Sequence, residues 1–134
     1  MENKLRLEIV TPHGMVFNDN VEEINASGSE GEFGVLPGHT PFLATLKIGM
    51  LTYKRGNETG RFFVSWGYAE VGPDKVIILA DSAEKYEEID IERALAAKKR
   101  AEDRLKQAEN VDQTRALASL ERATTRIQIS EKRK

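Results

Sequence analysis

The chain has 134 residues, 40% of them hydrophobic and 31% charged, with a formal net charge of −2, the composition of a soluble globular protein with room for one good core and at most a thin second unit. It contains no cysteine, which excludes a disulfide framework and thiolate metal chemistry. No apolar run approaches the ~18 residues that span a bilayer, and the N-terminal MENKLRLEIV lacks a signal-peptide core, so any tie to a membrane runs through a partner.

The first elements read as β. Leu5, Leu7 and Ile9 alternate in KLRLEIV, the period of a half-buried strand. Candidate strands follow at VEEINA, EFGVL, FLATL, MLTYKR, RFFVSW, YAEV and VIILA, separated by the turn signals TPHG, PGHTP, RGNETG and VGPDK. Many short strands with no helical period between them predict an antiparallel sandwich or flattened barrel. Within EGEFGVLPGHTPFLATL, Glu30 to Leu46, Pro37 and Gly38 suit the central positions of a type II turn: proline presets φ near −65° and glycine accepts the positive φ that follows.

Near residue 90 the composition changes. All nine aromatics, Phe17 to Tyr86, precede it, and residues 1–90 carry 8 Lys+Arg against 15 Asp+Glu, a net of −7. Residues 91–134 carry 12 against 7, a net of +5, with eight alanines and no glycine or proline. Ile91, Ala94, Ala97, Ala101, Leu105 and Ala108 fall at steps of three and four, one face of a helix, and Asp90 stands where an N-cap carboxylate belongs. Asn110-Val111-Asp112 gives a short connection with Asp112 as a second cap, and Leu117, Leu120, Thr124 and Ile127 form the next stripe. The reading is α+β: a β-sandwich over 1–84, a linker over 85–90, and an antiparallel two-helix hairpin over 91–134. An alanine-rich seam buries little apolar area, so the hairpin is expected to be weakly held and able to detach.

Little in the chain reads as catalytic. Its two histidines, His13 and His39, lie in turn-like sequence without metal-ligand spacing, Ser65 lacks a nucleophile-elbow context, and no phosphate-binding G-x-x-x-x-G-K-[ST] loop is present. His39 with Glu30 or Glu32 could hold a metal, but a turn histidine is the better reading. Glu84, Glu87, Glu88 and Asp90 read as a solvated run leading into a capped helix. Nucleic acid is not an expected ligand: Glu102, Asp103, Glu109 and Glu121 interrupt the basic face of the tail and no aromatics interleave it, a pattern better suited to an acidic protein partner. No cofactor is expected and the chain is not expected to be an enzyme acting alone.

The whole chain resembles the ε-subunit family of bacterial F-type ATP synthases. The resemblance rests on the TPHG-x-V-F strand pair, the GSEGEFGVLPGHTPFLATL stretch, the S-W-G-Y-A-E-V hairpin, VIILAD and the helical tail, in that order. It implies a non-catalytic central-stalk subunit, peripheral on the cytoplasmic face of the cell membrane, that binds the γ subunit and rests on the ring of c subunits. It also implies that Glu32, Gly34, Pro37, Gly38 and His39 belong to the surface facing γ and the c-ring. The lack of a transit peptide favours a bacterial over a mitochondrial protein.

A second family motif, I/L-D-x-x-R-A, matches Ile89-Asp90-Ile91-Glu92-Arg93-Ala94. The resemblance then implies ATP as a regulatory ligand, held by Glu84, Ile89, Asp90, Arg93, Arg100, Arg122 and Arg126. Lys98-Lys99 beside Arg100 departs from the family's charge pattern. The chemistry is reasonable in itself: Arg122 and Arg126, four apart, share a helix face, and guanidinium forks match phosphate oxygens. Without the family, Asp90 caps a helix and the arginines solvate it. The resemblance further implies that the tail extends toward acidic surface on the catalytic α and β subunits and inhibits hydrolysis. The alternative is a free-standing nucleotide-sensing adaptor built from the same two parts.

Overall fold

The computed structural model describes residues 4–107 and 113–131. The chain divides into two compact units, residues 1–85 and residues 86–134.

The first unit is an eight-stranded sandwich: β1 (Leu5–Thr11), β2 (Gly14–Val21), β3 (Glu23–Gly28), β4 (Gly31–Val35), β5 (Phe42–Leu46), β6 (Gly49–Arg55), β7 (Glu58–Val71) and β8 (Lys75–Lys85). Strands run in the order β2-β1-β8-β7-β5-β3-β4, with β6 bridging β3 and β7. Every pairing is antiparallel except β1 with β8, which is parallel. That exception departs from the all-antiparallel expectation and has a simple cause. β1 and β8 are joined by the rest of the sandwich, a connection long enough for parallel neighbours. Leu5, Leu7 and Ile9 are fully buried, as their alternation predicts, and Leu7 and Ile9 lie opposite Val76 and Ile78 of the last strand. Val21, Ile24, Val35, Leu51, Phe62 and Val71 complete the core with them. Phe17 stacks at its edge, 5.5 Å from the Phe62 ring and 4.9 Å from Tyr53.

RFFVSW and YAEV, read as two strands, are one. β7 runs fourteen residues, pairing with β6 over Glu58–Val64 and with β5 over Gly67–Val71. The change of partner falls at Trp66-Gly67, both at positive φ, 42° and 151°. A Cβ on Gly67 would collide with the Leu79 carbonyl, so this corner requires glycine.

The second unit opens with a 3₁₀ turn over Tyr86–Glu88, followed by α1 (Ile91–Gln107) and α2 (Gln113–Glu131). Lys85 closes β8 and the 3₁₀ turn follows at once, so Ile89 and Asp90 alone separate regular elements where a longer linker was expected. Asp90 is the N-cap: its Oδ1 accepts the Arg93 N–H at 3.0 Å, and its carbonyl accepts the first helical bond, from Ala94, at 3.0 Å. α1 packs on α2, and the 3₁₀ turn on α2. Small buried positions recur by sevens, Ala94 and Ala101 on one helix, Ala116, Ala123 and Ser130 on the other, with Ile129 buried beside Ser130; small side chains at this spacing let two helices approach closely.

Part of the predicted seam is corrected. In α1, Ala94 and Ala101 are buried and Ala97 and Leu105 half-buried, but Ile91 is exposed. In α2, Leu117 is 55% exposed, and Leu120, Thr124 and Ile127 are only half-buried. The seam residues are Ala116 and Ala123, one position earlier, because a close-packed pair selects small side chains rather than the largest apolar ones. Ala108 and the Asn110–Asp112 connection with its proposed cap lie outside the described residues.

Candidate functional site

The Pro37–Gly38 turn forms as its residues dictate. His39 N–H donates to the Leu36 carbonyl at 3.2 Å and Gly38 has φ 87°, a type II turn. The Gly38 N–H donates to the Pro73 carbonyl at 2.6 Å, fastening the turn to the β7–β8 connection. His39 Nδ1 lies 2.7 Å from the Thr40 carbonyl, so that nitrogen carries the proton, and its ring lies 5.1 Å from Phe42. The histidine therefore holds local backbone. Glu32 is exposed on β4 opposite Ser27, and Gly34 lies opposite Asn25. Among the described residues, no group of three or more His, Asp or Glu side chains is arranged to hold a metal ion.

A larger surface feature went unread in the sequence. Strand register places Thr45, Tyr68, Leu79, Val10 and Met15 side by side across β5, β7, β8, β1 and β2. Tyr68, Leu79 and Met15 are about half exposed, and Leu43, one pleat along β5, is 70% exposed. Trp66 lines a shallow groove of about 860 Å³ together with Val10, Thr45, Tyr68, Leu79, Pro12 and Asp81. Monomeric proteins seldom leave so continuous an apolar row in water unless something covers it. In the sequence these residues are scattered from 10 to 79, and only the pairing of five strands assembles them.

Trp66 adds a second anomaly. Left-handed φ costs an L-residue with a Cβ about 1–2 kcal/mol, and such outliers gather at functional sites. Among the described residues it is the sole non-glycine at positive φ.

The residues matched to the ATP motif divide between the units. Glu84 belongs to β8, opposite Phe63; the other six belong to the helical unit. Asp90 and Arg93 meet through the cap. Arg93 and Arg100, seven apart, share an exposed face of α1. Arg122 and Arg126 lie one turn apart and half-buried on α2, with Arg122 donating to Ser119 Oγ at 3.3 Å. Ile89 is buried. Of the neighbouring lysines, Lys99 reaches Asp103 at 4.0 Å. No helix is long and apolar enough to cross a membrane among the described residues.

Comparison with known proteins agrees with this two-part build. Residues 4–86 match the family model of the ATP synthase delta/epsilon chain β-sandwich domain, and residues 87–131 that of the delta/epsilon chain long α-helix domain. Curated relatives named ATP synthase epsilon chain include that of Thermodesulfovibrio yellowstonii, 52% identical over 81% of this chain and 77% of its own length. That of Nitratidesulfovibrio vulgaris is 56% identical over 80% of each. Among solved structures, a chain of the Euglena gracilis mitochondrial ATP synthase, in an assembly of OSCP, F1 and c-ring, superposes with a TM-score of 0.82. It is 24% identical and the match covers 93% of this chain and 80% of that one.

Proposed function

This chain belongs to the ATP synthase delta/epsilon chain family, and from that premise we propose that it is a non-catalytic subunit of the central stalk of a bacterial F-type ATP synthase. In this reading it is peripheral on the cytoplasmic face of the cell membrane and couples proton translocation to ATP synthesis. The sandwich docks on the γ subunit, and the end bearing Glu32, Gly34 and the Pro37–His39 turn faces the c-ring. The observation that carries the proposal is the exposed apolar row over five strands: a subunit that turns with a stalk needs a permanent partner face, and this one is left uncovered by the sandwich itself.

The hairpin regulates. A small-residue seam makes it a unit that a modest free energy can move, and its net positive charge suits acidic surface on the catalytic α and β subunits. We propose that it inhibits ATP hydrolysis there. ATP, held by Glu84, Ile89, Asp90, Arg93, Arg100, Arg122 and Arg126, relieves the inhibition by keeping the hairpin down. The paired arginines on each helix and the helix-capping Asp90 support this assignment. At a hundredfold excess over Kd, ATP would stabilise the bound arrangement by about 2.7 kcal/mol, enough to reverse a two-state equilibrium.

Reconstitution tests both parts. The chain should form a stable complex with γ, and removing residues 88–134 should preserve that complex while raising hydrolysis at low ATP. Arg93→Ala should abolish ATP binding by the isolated subunit and spare inhibition. Unchanged hydrolysis after the deletion sinks the regulatory role. ATP binding without any γ complex would instead mark a free-standing nucleotide-sensing adaptor.

A further inference from the structure

Ala116, Ala118 and Ala123 stand around Ser119 in the sequence of α2, and alanine is the strongest helix former. Ser119 breaks that run. It forms helix less readily than alanine, because its hydroxyl competes with the backbone for hydrogen bonds. What it adds is one oxygen, and that oxygen accepts an N–H of Arg122 Nη2 at 3.3 Å. The bond follows from helix geometry: a long side chain leans toward the N-terminus, so the Arg122 guanidinium lies over the turn that carries Ser119. Steps of three and four put Ser119, Arg122 and Arg126 on one face of α2, all half-buried. Elsewhere, nearby carboxylates meet such cations: Arg55 pairs with Glu58 at 3.0 Å, and Lys99 with Asp103 at 4.0 Å. The side chain that α2 itself places three residues before Arg122 is a neutral hydroxyl. It can fix the guanidinium plane without cancelling its charge, and two like charges one turn apart, at Arg122 and Arg126, favour an anion between them.

We propose that Ser119 is a positioning residue of the nucleotide site: it holds one N–H of Arg122 and turns the other donors of that guanidinium toward the phosphate chain of ATP. The inference rests on the ATP reading above and adds to it a residue outside the set that touches the ligand. Arginine carries its N–H donors in a rigid planar fork. A bond to one of them therefore orients all the rest, and the edge left over still matches two phosphate oxygens. An arginine already held in its binding geometry loses less side-chain freedom when the anion arrives. A carboxylate in place of the hydroxyl would hold the same guanidinium but compete with phosphate for it.

Calorimetric titration of ATP into the full chain, with the 222 nm helical signal recorded on the same variants, tests this. Ser119→Ala should weaken ATP binding about fivefold, the worth of one net hydrogen bond, while helicity rises, because alanine is the better helix former. Ser119→Thr keeps the hydroxyl and adds a β-branch, so it should bind ATP as the parent chain does with lower helicity. Ser119→Glu should pair with Arg122 and weaken binding more than Ser119→Ala does. Helicity and affinity thus move in opposite directions, which a serine serving the helix alone would not produce. If Ser119→Ala or Ser119→Glu binds ATP at the parental affinity, or Ser119→Thr is as weak as Ser119→Ala, the positioning role is wrong and the ATP reading survives. If the unsubstituted chain takes up no ATP at millimolar concentration, the ATP reading falls and this inference with it.

Discussion

The sandwich buries phenylalanine, leucine and isoleucine; the hairpin seam buries alanine. Phe62, Leu5, Leu7, Ile9 and Ile24 are almost wholly inaccessible in the first unit, whereas the second closes mainly on Ala94, Ala101, Ala116 and Ala123, with Ile89 and Ile129 its large buried side chains. At about 25 cal/mol per Å², a buried leucine contributes several times what an alanine does. One unit thereby rests on large buried side chains, and the other on a thinner seam that contributes less apolar burial. Both follow from composition: every aromatic precedes residue 90, and eight alanines follow it.

The contrast breaks most visibly at Phe62. Phe62→Ala should lower the sandwich's unfolding free energy by about 3–5 kcal/mol, the range for a large aromatic removed from a packed core. Urea titration followed by fluorescence of Trp66 would register it. Ala123→Gly in the seam should cost only about 1 kcal/mol, mostly helix propensity, and show in the 222 nm helical signal. Equal losses at both sites would erase the distinction. A fragment of residues 1–85 should melt cooperatively alone, while residues 86–134 alone should be poorly helical, since short isolated helices are marginal in water.

Enlarging the seam sharpens the same point. Ala101→Leu adds three carbons to a position 3% exposed and should destabilise the hairpin by about 1–3 kcal/mol through overpacking. If the variant were instead more helical and more stable, the seam would have room to spare, and its alanines would reflect something other than close approach.

How far the sequence foretold this molecule depends on the range of the signal. Alternation in β1, the Pro37–Gly38 turn and the Asp90 cap are local, and each appears as read. The continuous β7 was hidden because Gly67 looks like a strand breaker, and only its close approach to Leu79 shows it as a bend within a strand. The parallel β1–β8 pair joins residues some seventy apart in sequence, beyond any window of periodicity. The α2 seam was misplaced because hydrophobicity favours Leu117 and Leu120, while close packing favours the small side chains beside them. The apolar row was invisible for a related reason: alternation tells which residues face outward and says nothing of which strands lie next to each other.

A smaller effect is expected at Asp90. Replacing it by alanine removes the acceptor for the Arg93 N–H and should cost the hairpin about 1 kcal/mol. Asp90→Asn or Asp90→Ser, which cap equally well, should restore helicity. Because the same carboxylate belongs to the proposed ATP site, these variants separate its two roles. Asp90→Ser with full helicity and no ATP binding assigns the carboxylate to the ligand; full helicity with intact binding assigns it to the cap alone.

The smallest predicted effect belongs to the sandwich's charged edge. Asp19 accepts the Asn20 N–H at 2.8 Å and pairs with Arg55, which also holds Glu58 at 3.0 Å. The Asn20 bond first, and then the Arg55 guanidinium, hold the Asp19 carboxyl below its ordinary value; hydrogen bonding to Glu58 and then Asp19 raises Arg55. With the folded carboxyl more acidic than the unfolded one, its contribution is present above the unfolded pKa and lost as pH falls through the folded one. The loss should therefore begin near pH 4 and grow below it. The groups are exposed, so the effect should be small and should shrink in high salt, where the screening length falls to about 3 Å at 1 M. Melting of Asp19→Asn against the parent protein would check this. The two curves should lie close together at neutral pH and meet as pH drops, because protonation removes from the parent what the substitution has already removed. If the gap instead stayed constant with pH, Asp19 would act through its geometry at the end of β2 and not through its charge.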